Sequence, residues 1–78
     1  MASRKFFNWT AEDVVRFLKN YDFQYSRAKG SHIFYKGYYG KEKRQVCIPF
    51  HGSKTIRPKT FKSIIKQSGI PKEKWLGK

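Results

Sequence analysis

Apolar residues in this chain recur at helical spacing towards both ends and at strand spacing between them, and that switch of period is the strongest limit on its fold. Val14, Phe17, Leu18 and Tyr21 stand at i, i+3, i+4 and i+7, one stripe of an amphipathic helix. Thr10 precedes the stripe as an N-cap, Asp13 follows at the position of a capping-box acid, and Trp9 with Val14 has the spacing of a hydrophobic staple. Glu12 and Asp13 fall in the first turn and Arg16 and Lys19 later, the order the helix dipole favours. The helix is expected to end within 20–22, where Asn and Asp tolerate left-handed backbone.

From 23 to 29 the period becomes two, with Phe23, Tyr25 and Arg27 alternating with Gln24, Ser26 and Ala28. Lys29-Gly30 turns the chain into a second strand over 31–36, paired antiparallel with the first. Residues 37–43 read as a polar, glycine-flanked loop, and 44–49 as a third strand that Pro49 ends or holds at an edge. A second helix starts at Pro58 and carries Phe61, Ile64 and Ile65 on one stripe. Gly69 is its C-cap, Ile70 folds back on Ile65, and Pro71 prevents continuation. The resulting order, α-β-β-β-α, is an α+β fold whose two helices lie on one face of a three-stranded antiparallel sheet. The other face stays open to a partner. The 78 residues make a single domain, with 1–8 and 72–78 as tails.

So short a chain builds a core only from large side chains, and seven Phe, five Tyr and two Trp supply them. The 18 Lys and Arg against 5 Asp and Glu give a formal charge of +13, more than solubility requires. An acidic partner is implied, with nucleic acid the default. A membrane surface would call for a basic amphipathic helix, whereas the positive charges here are spread over strands, turns and helices alike. No run approaches the roughly 20 apolar residues of a membrane span, and the N-terminal stretch has no secretory pattern. The lone Cys47, between Val46 and Ile48, reads as a buried thiol with no disulfide partner, so a reducing cytoplasm is expected.

His32, one of only two histidines, directly follows Lys29-Gly30-Ser31 at the mouth of the second strand. Three roles are open to it: a surface residue, a metal ligand, or the acid–base group of an enzyme acting on an anionic polymer. RNA is cleaved without metal when its own 2′-hydroxyl attacks the adjacent phosphate, given a base for the hydroxyl proton and an acid for the leaving oxygen. Histidine suits both tasks near neutral pH. Arg27, Lys29 and Lys36 flank His32 as candidate cations for the charge that develops on phosphorus, and Gly30 lets backbone approach it. Lys41, Lys43 and Arg44 form either a solvated, edge-protecting run or a track for phosphates. His51 is a loop-orienting residue or a phosphate contact. The aromatics Phe23, Phe34, Tyr35 and Phe50 are core or sheet packing, with base stacking reserved for any that face outward. Cys47, His51 and His32 lack a fourth zinc ligand. Glu12 and Asp13 are taken up by helix capping while Glu42 and Glu73 stand apart, so no metal or cofactor is expected.

The stretch VVRFLKNYDFQYSRAKGSHIFYK, followed by QVCIPFHGSKTIRPKTFKSIIKQSGI, resembles the HicA (YcfA-like) family of toxin–antitoxin ribonucleases over about residues 14–70. The similarity is carried by Gly30-Ser31-His32, by Ile48-Pro49-Phe50-His51, and by the helix from Thr60 to Gly69 with its Ile-Ile-Lys-Gln-Ser-Gly ending. It implies a double-stranded-RNA-binding-domain-like fold and the toxin of a type II system, an mRNA endoribonuclease. It also implies catalysis by His32 and neutralisation by an acidic HicB-like antitoxin that covers His32. The candidate RNA contacts are then Arg27, Lys29, Gly30, Ser31, Lys36, Lys41, Lys43, Arg44, His51 and Lys54. The chain departs from the family pattern at Asp22 and Lys59, where glycine is usual. A noncatalytic module that binds double-stranded RNA by shape is the alternative, and a domain that chiefly holds a protein partner is a third. His32 separates them, because a pure binder has no need of a histidine beside a glycine turn.

Overall fold

The computed structural model describes residues 8–51 and 54–77. In chain order they form α1 (Ala11–Asn20), β1 (Gln24–Lys29), β2 (His32–Tyr39), β3 (Glu42–Pro49), α2 (Pro58–Ser68) and a short α3 (Lys72–Trp75). The strands make one antiparallel sheet in the order β1-β2-β3.

The helix start lies where its chemistry places it. The Thr10 hydroxyl accepts from the Asp13 N–H at 3.2 Å and the Asp13 carboxylate accepts from the Thr10 N–H at 2.9 Å, a complete capping box. Past Asn20 the chain reverses through Asp22, whose φ of +67° is the left-handed region that an aspartate tolerates. Both hairpins have two-residue turns opened by a glycine at positive φ, Gly30 at +59° and Gly40 at +67°. The second hairpin corrects the expectation of a loop over 37–43. Tyr38 and Tyr39 continue the alternation of β2, and Gly40-Lys41 suffices to turn the chain straight into β3. Gly37 belongs inside the strand for a different reason: the Phe23 ring occupies the space where a Cβ would stand, 2.6 Å away. Gly37→Ala must displace that ring and is expected to destabilise the fold by about 1–3 kcal/mol, measurable as a lowered urea midpoint.

Along β2, Tyr35 is buried while His32, Lys36 and Tyr38 are exposed. The core joins Tyr35 to Val46 and Ile48 of β3, Val14 and Leu18 of α1, and Phe61 and Ile64 of α2. Both long helices therefore pack on one face of the sheet and leave the other open. The Cys47 N–H donates to the Gln67 amide oxygen at 2.8 Å, so α2 also satisfies a backbone group of β3. Cys47 is only half-buried, since alternation turns it away from the core that Val46 and Ile48 enter.

The stretch expected as a C-terminal tail is held instead. Trp75 is 2% exposed, stacks on Phe17 with ring centroids 4.0 Å apart, meets Trp9 and Phe61 edge-on, and donates its indole N–H to the Ile70 carbonyl. Of the expected N-terminal tail only Asn8 lies among the described residues, followed directly by the buried Trp9. Among the described residues no helix is long and apolar enough to cross a membrane.

Candidate functional site

His32 opens β2 immediately after the Gly30-Ser31 turn and pairs across the ladder with Lys29. Residues directly opposite share a face, with Cβ atoms about 4.5–5.5 Å apart, so Lys29 and His32 are neighbours on the open face. The turn is tied to the end of β3 by the Phe50 N–H, which donates to the Ser31 carbonyl at 2.7 Å.

Arg27 joins them through an irregularity. Tyr25 pairs with Tyr35 but Arg27 pairs with Phe34, so Ser26 is the extra residue of a β-bulge. Uninterrupted alternation would put Arg27 on the face of Tyr25, towards the helices. The bulge resets the register, and Arg27 and Lys29 both emerge on the face of His32. There the Arg27 guanidinium carbon lies 4.4 Å from the centre of the Phe34 ring, a cation–π contact that fixes the charge over the sheet.

Farther along the open face, Lys36 lies opposite Gln24 and Gln45, and Tyr38 opposite Lys43. Lys36 is four residues and hence about 13 Å from His32 along the strand. On the other side of His32, Pro49 of β3 is its partner. Pro49 also lines a cleft of about 440 Å³ together with His51, Lys54, Arg57 and Thr60. The cleft therefore adjoins the strand position of His32. It lies against the first turn of α2, which has no acidic residue and no side-chain cap. Neither Arg57 nor Thr60 is among the candidate RNA contacts expected from the sequence, where Pro58 marks only a helix start.

The remaining candidates are placed elsewhere. Lys41 sits in the turn of the second hairpin, at the end of the sheet away from His32, and Lys43 lies near that end on the open face. Arg44 faces the helices: its guanidinium pairs with Glu42 at 2.6 Å and packs against Gly69, where a Cβ would stand 2.7 Å from the Arg44 Nε. Of the aromatics, Phe23 and Tyr35 are core, Phe34 lies under Arg27, and Phe50 is 39% exposed. Tyr38, at 63% exposure, is the aromatic that the loop expectation missed. Among the described residues no three His, Cys, Asp or Glu side chains gather into a group that could hold a metal ion.

What the open face offers chemically is an exposed imidazole with Lys29 opposite it and Arg27 held over Phe34 nearby, and further lysines along the same strands. No acid occupies a strand position on this face; Glu42 lies on the other one and Glu12 and Asp13 in the first turn of α1. A polyanion laid across it meets attraction along its length. In sequence comparison, the model of the family described as HicA toxin of bacterial toxin-antitoxin matches residues 11–70. No curated protein and no solved structure matches significantly.

Proposed function

This chain belongs to the HicA toxin family, and from that premise we propose that it is a metal-independent mRNA endoribonuclease in which His32 is the general acid and base. The observation that carries this reading is the pairing of β1 with β2 beyond the Ser26 bulge, which sets Arg27 and Lys29 on the face of His32. Bulges beside active sites commonly re-aim a side chain in this way.

The chemistry follows from the substrate. The His32 imidazole removes the proton of a ribose 2′-hydroxyl, and the 2′-oxygen bonds to the adjacent phosphorus as the bond to the 5′-oxygen breaks. The imidazolium then returns a proton to the departing 5′-oxygen. Arg27 and Lys29 hold the phosphoryl oxygens on which charge accumulates, and the cleft of His51, Lys54 and Arg57 receives a neighbouring phosphate. An acidic HicB-like antitoxin neutralises the enzyme by covering His32, and the pair acts in the cytoplasm, where mRNA is.

Purified protein is expected to cleave unstructured RNA in excess EDTA and to leave 2′,3′-cyclic phosphate and 5′-hydroxyl ends, the products of 2′-hydroxyl attack. End-labelling the products decides. Ends bearing 5′-phosphate would exclude this route, and intact RNA bound without cleavage would favour the noncatalytic double-stranded-RNA-binding-like module.

A further inference from the structure

At the end of the sheet away from His32, β1 stops pairing at Gln24 opposite Lys36, while β2 and β3 continue together to Tyr39 and Glu42. The second hairpin therefore projects past β1. The space left beside it is a notch of about 480 Å³, lined by Asp22, Gln24, Lys36, Tyr38 and Lys43 among others. That volume lies within the range of small-ligand pockets, generous for one nucleotide.

Three properties of the lining converge on one ligand chemistry. Tyr38 is 63% exposed on the open face, and its ring is available for stacking. Lys36 and Lys43 stand on the same face on neighbouring strands, two cations flanking the ring. Asp22 and Gln24 add a carboxylate and an amide at the rim, able to accept hydrogen bonds from a base edge. We propose that this notch binds one unpaired nucleotide of the RNA substrate, its base stacked on Tyr38, its phosphates on Lys36 and Lys43, and its exocyclic amino group donating to Asp22. The proposal rests on the ribonuclease reading of His32 and names how the substrate is held.

The nucleotide has to be unpaired, because a base within a duplex presents only its edges while stacking on an aromatic ring needs a free face. An acidic protein segment fits less well, since the Asp22 carboxylate at the rim repels a second carboxylate but accepts from an amino group. Tyr38 lies six residues from His32, about 20 Å along the strand. The notch is accordingly remote from the scissile bond and acts on affinity and base preference, with Arg27, Phe34 and Gln45 between the two ends.

The test measures binding of labelled single-stranded hexanucleotides by fluorescence anisotropy, all in a His32→Ala background so that no cleavage intrudes. Tyr38→Ala is expected to weaken binding about 5- to 100-fold, the range of one lost base stack, while Tyr38→Phe retains most of the affinity. Asp22→Asn is expected to reduce the preference for amino-bearing bases over uracil. A folded Tyr38→Ala protein with unchanged affinity overturns the proposal. So does a loss confined to binding of an acidic HicB-like protein, which would make the notch a protein-docking surface. Cleavage by otherwise wild-type protein, assayed in parallel, separates the two readings. Intact cleavage with a silent Tyr38→Ala sinks the notch alone, whereas absent cleavage with a weakened Tyr38→Ala sinks the nuclease and leaves the notch as an RNA-binding site.

Discussion

Replacing His32 by alanine is expected to lower RNA cleavage by about 10²–10⁴-fold, the usual contribution of a general acid–base group, and to abolish growth arrest on expression. The fold is expected to survive, because the His32 side chain is exposed and takes no part in the core. RNA affinity is expected to fall little, since one imidazole is a minor part of a chain with a formal charge of +13 and binding is spread over many phosphate contacts. His51→Ala is expected to be milder, because His51 lines the adjoining cleft and on this reading contacts phosphate. The measurement is cleavage in chelator, thermal unfolding and RNA affinity for both variants side by side. Retained cleavage in a folded His32→Ala protein would move the catalytic assignment off this residue.

How much of the site is legible in the sequence depends on whether its geometry is local. The Gly30-Ser31 turn is local, so His32 and Lys29 could be placed as neighbours from spacing alone. Arg27 falls on the face of Lys29 when counted back from the turn, but on the face of Tyr25, towards the helices, when counted forward from Phe23. Period counting presumes one residue per ladder step, and the bulge at Ser26 breaks that presumption, so the two counts disagree and the ladder follows the one made from the turn. Arg44 is the converse case. It has the same parity as Val46 and Ile48, so alternation alone assigns it to the helix face, and its charge drew it into the RNA-contacting set against that signal. Arg57 and Thr60 join the cleft because the start of α2 lies beside Pro49 and His51, a placement that no periodicity encodes.

The helices were the most readable part of the fold because their ends carry their own chemistry: the Thr10 and Asp13 capping box, Pro58 in the first turn, and Gly69 in the left-handed cap at φ +75°. Strand lengths were less readable. Two glycines around Tyr38-Tyr39 resemble a loop in composition. Gly37 is nevertheless a strand residue made small by the Phe23 ring above it, and only Gly40 turns the chain. Composition cannot distinguish a glycine that packs from one that bends.

The same limit produced the tail expectation at the C-terminus and gives the largest expected effect on stability. Pro71 does end α2, and Lys72-Glu73-Lys74 is polar and exposed, so nothing periodic marks the segment as folded. A single side chain decides the matter, since Trp75 enters the cluster of Trp9, Phe17 and Phe61 and is held by its indole N–H on Ile70. Trp75→Ala removes these ring contacts together with the buried hydrogen bond and leaves a cavity between both long helices and Trp9. The expected loss is about 3–5 kcal/mol, the usual range for a buried tryptophan. For a domain of this size that is a large part of a total stability of roughly 4–12 kcal/mol, so the variant should be partly unfolded at growth temperature. Urea denaturation followed by circular dichroism measures it, with Lys74→Ala as the neighbouring control, expected within about 0.5 kcal/mol of wild type because Lys74 is exposed. A Trp75→Ala loss below about 1 kcal/mol would place the ring in solvent and restore the segment to a tail. Because α1 and α2 both rest on this cluster, the variant should also lose RNA cleavage in proportion to its unfolded fraction, unlike His32→Ala, which stays folded and inactive.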